Sequence, residues 1–118
     1  MKRIHRINGS CAIFALSHVS GRPEAAVIEV CKDHDFEWGQ GMADDEIMAA
    51  AKDLDITKRE IQIKKCSLKE FLKKYNSGMY LLATWNHIFA VNNGGILVRP
   101  DIRPPASRCV IHRAWRVS

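Results

Sequence analysis

Met79-Tyr80-Leu81-Leu82-Ala83-Thr84, a two-residue link at Trp85-Asn86, then His87-Ile88-Phe89-Ala90-Val91 and Asn92-Asn93-Gly94-Gly95-Ile96-Leu97-Val98 form the stretch whose reading decides the fold. The first apolar run is short, follows the helix-stopping Asn76-Ser77-Gly78, and reads as a buried strand. Asn-Gly in the second turn is a strong hairpin signal, because the favoured two-residue hairpin turn needs positive φ at both central positions. Antiparallel counting across that turn pairs Val91 with Ile96 and His87 with Pro100.

Working outward, Ser67-Leu68-Lys69-Glu70 is a capping box that opens a helix from Leu68 to Tyr75. Upstream of it, Ile61 and Ile63 alternate with Gln62 and Lys64, as in a half-buried strand. A helix from Asp44 to Asp53 carries its carboxylates in the first turn, where the helix dipole favours them. The loop Phe36-Glu37-Trp38-Gly39-Gln40-Gly41-Met42 precedes it, and a helix opened by Pro23 comes before that loop. Nearest the start, Asn8-Gly9-Ser10 is turn and cap chemistry for a short buried helix, Cys11 to Val19, closed by Ser20-Gly21. Downstream of the hairpin, Pro100 to Ser107 is irregular. Arg108 to Val117 then reads as a last strand with Cys109, Ile111, Trp115 and Val117 on one face. Helices first and an antiparallel meander afterwards make an α+β layout rather than an alternating βαβ one.

The 118 residues are expected to form a single domain, 1–118, with 47% hydrophobic and 26% charged residues in the ordinary globular range. No apolar run approaches the roughly 18 residues of a membrane span. The basic start Met1-Lys2-Arg3 is not followed by a signal-type apolar segment, so a cytoplasmic location is expected. The four cysteines at 11, 31, 66 and 109 contain no C-x-x-C pair, which points to free thiols and to neither a zinc site nor a disulfide framework. No metal or other cofactor is expected. The net charge of +5 raises nucleic-acid binding as a reading. It is disfavoured because Lys58-Arg59, Lys64-Lys65, Lys73-Lys74 and the later arginines are spread over several elements, as solvated faces are.

A thiol in the first turn of a buried helix sits beside unpaired N–H groups and a positive potential, both of which favour thiolate. The N–H of Cys11 could also donate to an oxyanion formed on a bound carbonyl. Such a nucleophile needs a base on a rigid element, and His87, at the start of a central strand, is the best placed of the five histidines. Asp101 follows the predicted partner of His87 and could orient its ring, with Asn92 and Asn93 more simply explained by the turn.

In order and spacing, Asn8 to Leu16, the second helix, Gly78 to Thr84 and His87 to Gly94 resemble papain-like cysteine peptidases. More narrowly they are similar to the short C39-like forms encoded by bacteriophages and related mobile elements. The resemblance implies a papain-like fold, with helices packed on a C-terminal antiparallel sheet. It implies Cys11 as nucleophile, His87 as general base and acid, Asp101 as the orienting third member and Asn8 as the oxyanion side chain. His5 holds the spacing typical of papain itself, and the Cys-Gly-Ser-Cys-Trp stretch of true papains is absent.

The implied partner is a protein or peptide substrate. The rival reading is a catalytically silent module of the same fold that binds a host protein. Trp38 in the glycine-bracketed loop and Trp85 beside His87 are candidate cleft residues, each with a plain core role as the alternative.

Overall fold

The computed structural model describes residues 9–34, 41–85, 87–97 and 105–117. Helices α1 (Gly9–Ser20), α2 (Glu24–Lys32) and α3 (Asp44–Asp53) come first. Strands β1 (Lys58–Ile61) and β2 (Cys66–Ser67) then lead into α4 (Leu68–Lys74). The chain continues through β3 (Met79–Ala83), β4 (Ile88–Asn92), β5 (Gly95–Leu97), β6 (Val110–Ile111) and β7 (Arg113–Val117). The class is α+β, with an antiparallel five-stranded sheet in the order β1-β7-β3-β4-β5 and a small β2-β6 pair beside it.

Local chemistry accounts for the element ends. In the capping box of α4, Glu70 N donates to Ser67 Oγ at 3.2 Å while Ser67 N donates back to Glu70 Oε1 at 3.2 Å. Pro23 stands at the N-cap of α2, one position earlier than the first helical turn. The β4–β5 turn has φ of 50° at Asn93 and 82° at Gly94, the pattern that turn requires. Asn93 Oδ1 also accepts from Gly78 N at 2.8 Å, tying this turn to the start of β3. Val91 pairs with Ile96 as counted from the sequence.

The sheet buries both faces. Leu81, Ala83, Ile88, Ala90 and Trp115 pack beneath α1, α2 and α3 with Ala12, Ile13, Leu16, Val27 and Ile47. On the opposite face Tyr80, Leu82, Phe89, Val91 and Ala114 pack with Leu68 and Phe71 of α4 and with Ile111. Alternate residues of β3 and β4 therefore serve two separate cores, which is why those strands read as continuous apolar runs.

Two expectations are corrected. The strands are not a simple meander, because β7 inserts between β1 and β3. The last segment is two strands rather than one, and its supposed single face divides: Cys109 and Ile111 join the α4 side, while Trp115 and Val117 join the α1 side. The break falls at His112, whose N–H donates to Ala83 O at 2.9 Å. β6 pairs with β2 outside the main sheet, so the alternation is reset where the chain crosses over.

Arg113 fastens β7 to its surroundings. Its Nε and Nη2 donate to the two carboxylate oxygens of Glu60 at 2.9 Å each, and Nη1 donates to Asp44 at 3.2 Å. The guanidinium lies 4.8 Å from the Trp115 ring centroid. The bond from Arg113 holds the Glu60 carboxyl below the ordinary carboxylate range. A depressed folded pKa contributes stability that is present above the unfolded value, about 4.3, and is lost as pH falls through the folded value. Both partners are more than a third exposed on average, so the Glu60 pair is expected to contribute about 0.5–1 kcal/mol. Arg113→Met should lower stability at pH 7 by roughly that amount and flatten the loss of stability below about pH 4.3, read by urea unfolding across pH. An unchanged acid limb would show that the pair contributes nothing.

Candidate active site

Cys11 lies in the first turn of α1, half-buried against the core on that face of the sheet. The small residues Ala12 and Ala15 are fully buried there, as is Ala90 on β4, and they let the helix approach the strand closely. Burial pushes the Cys11 thiol above its ordinary value, and hydrogen bonding from its own backbone N–H offsets part of that rise.

His87 immediately precedes β4, and burial pulls its imidazole below the ordinary value. Thr84 N donates to His87 O at 2.9 Å, which extends the β3–β4 ladder by one pair beyond Ala83 and Ile88. Strand alternation then puts His87 on the side of Phe89, and the two ring centroids are 5.5 Å apart. Cys11 sits under the other face. Among the described residues no hydrogen bond joins the Cys11 thiol to the His87 ring. Both shifts favour the uncharged thiol and the uncharged imidazole rather than a thiolate–imidazolium pair.

Asp101, Asn8, Trp38, Phe36 and His5 lie outside the described residues. Trp85 is 66% exposed, which excludes the core role, and its ring lies 6.2 Å from that of His112. All four cysteines are free thiols. Cys31 is fully buried in the α1-side core and its pKa is pushed up to about 11. Among the described residues no three His, Cys, Asp or Glu side chains gather as a metal site, and no helix is long and apolar enough to cross a membrane.

A groove of about 700 Å³ opens on the α4 side, between residues 62–66 and the helix. Sequence reasoning did not anticipate it, since it depends on the chain after β1 being laid alongside α4. Comparison with protein-family models, with curated proteins and with solved structures finds no match for this chain.

Proposed function

We propose that this chain is a papain-like, C39-like thiol hydrolase acting on a peptide or other amide bond, with Cys11 as nucleophile and His87 as general base and acid. One observation carries the reading: α1, with Cys11 in its first turn, packs on the sheet at β4, the strand that His87 leads into. In the reaction the Cys11 sulfur attacks the carbonyl carbon and its proton goes to His87, a step that requires the His87 ring to turn from its place beside Phe89 to the Cys11 side of the sheet. The imidazolium returns that proton to the leaving amine, and water, deprotonated by His87, cleaves the resulting thioester. The uncharged state of both groups suits a base that takes the proton during attack, not one that stores a ready thiolate.

A second reading, a catalytically silent module that binds another protein, draws on the contact of the His87 ring with Phe89 on the sheet face opposite α1. Alkylation with iodoacetamide separates the two. In the hydrolase, Cys11 reacts ahead of Cys31, and its rate rises about tenfold per pH unit below the thiol pKa. His87→Ala slows Cys11 alkylation about a hundredfold at neutral pH and leaves Cys66 and Cys109 unchanged. If His87→Ala leaves the Cys11 rate as it was, the pair does not act together and the binding module is the function.

A further inference from the structure

We propose that the α4 face of the sheet is a binding surface for single-stranded nucleic acid, with the phosphate backbone held by lysines and arginines on and around α4. The charges that the sequence scatters are sorted by the fold. Among the described residues, the helical layer up to residue 57 has eight carboxylates against three Lys and Arg, whereas residues 58–117 have ten Lys and Arg against two carboxylates. Of those two, Glu60 is bound by Arg113 on the α3 side. Glu70 closes the α4 capping box, accepting from Ser67 N and, at 3.0 Å, from Ser67 Oγ.

The cations come to this face from four places. Lys74 lines the groove from α4, while Lys69 and Lys73 are exposed on the same helix beside a second pocket that includes Leu72 and Ile96. Lys64 lines the groove together with Lys74, and Lys65 next to it in the chain is exposed. The turn bearing Arg108 is anchored to the start of α4, where Leu68 N donates to Cys109 O at 2.9 Å and Lys69 N to Ser107 O at 3.0 Å. Arg59 and Arg116 are direct cross-strand partners, and Arg116 lies 6.0 Å from the Tyr80 ring centroid on the α4 side. Among the described residues none of these side chains lies within ion-pair distance of a carboxylate. Like charges directly opposite in a sheet repel and destabilise it, so a bound polyanion removes a cost that the free protein carries.

The shape selects the kind of polyanion. The groove is lined by Ile63, Phe71 and Tyr75 together with Lys64 and Lys74, and by Glu70, whose carboxylate is engaged by Ser67 in the capping box. Tyr75 stacks on Phe71 at 4.7 Å, is partly exposed, and carries Lys74 Nζ 5.5 Å from its ring centroid. Lysines beside a partly exposed aromatic ring suit a strand whose phosphates face the lysines while an unstacked base lies toward the ring. A duplex keeps its bases paired and stacked inside, where none can lie on the ring. An acidic polypeptide supplies charge but no planar base.

The test is fluorescence anisotropy of the full chain with a labelled 20-mer oligothymidylate, a duplex of equal length and a polyglutamate of equal charge. The expected result is binding of the single strand at low salt, with log K falling against log salt at a slope of about −3, as for roughly four phosphates. Lys69→Gln/Lys73→Gln/Lys74→Gln should weaken it at least about tenfold and reduce the slope by about two. Tyr75→Leu should weaken it about tenfold with the slope unchanged. Arg22→Gln/Lys32→Gln/Lys52→Gln removes the same charge from the helical layer and should leave affinity within about twofold. The proposal is overturned by no binding, by equal binding of the duplex or polyglutamate, or by equal weakening in the helical-layer variant. Circular dichroism of each variant confirms that the fold is retained, and the measurement does not depend on Cys11 chemistry.

Discussion

Replacing Cys11 with alanine is expected to reduce amide hydrolysis by about a thousandfold or more, the loss seen when a covalent catalyst loses its nucleophile. The substrate for this measurement is drawn from a peptide library as whichever sequence the unaltered chain cleaves. The size of the effect follows from the site. Cys11 is the only thiol placed in a helix first turn, while Cys31 is fully buried and Cys66 and Cys109 border the α4-side core. None of these other thiols is placed beside the α1 terminus to act in its stead. Stability should change little, because Cys11 is only half-buried and loses one sulfur to alanine. Two results count against the reading. Retained cleavage in Cys11→Ala would remove Cys11 as nucleophile. Lost cleavage accompanied by a large fall in melting temperature would place Cys11 in the packing, not the chemistry.

Trp115→Ala should be the most destabilising single change considered, at about 3–5 kcal/mol, the range for truncating a buried aromatic. Trp115 is 3% exposed on β7, the strand inserted between β1 and β3, and it stands directly across from Leu81 on one side and Glu60 on the other. Truncation opens a void beneath the helices that carry Cys11 and removes the ring on which Arg113 rests. Domains of this size are stable by about 5–15 kcal/mol, so the loss takes a large share of the total. Val110→Ala on the nearby β6, where the side chain is 44% exposed, should stay within about 0.5 kcal/mol. Urea midpoints compare the two variants directly. Similar midpoints would mean that the space under Trp115 collapses on truncation.

Short-range chemistry is legible along the chain before any packing. The bounds of α3, the capping box of α4, the Asn93-Gly94 turn and the Val91–Ile96 register each depend on residues within a few positions of one another. A cap or a two-residue turn leaves little conformational choice once its residues are given. Cys11 in a helix first turn was legible for the same reason. Packing settled the placements that join distant parts of the chain. It put β7 between β1 and β3 and broke the last strand at His112, where a backbone bond to Ala83 redirects the chain. It also set the face to which His87 belongs, since a strand's alternation has no inside or outside until its sheet is covered. The gathering of Lys64, Lys74, Arg108 and Arg116 on one side has the same origin: the residues are far apart in sequence, and pairing of β1 with β7 and of β2 with β6 brings their elements together. Charge runs read along the chain carry no sheet face, because the face is assigned by a strand's neighbours, and here those neighbours come from the far end of the chain.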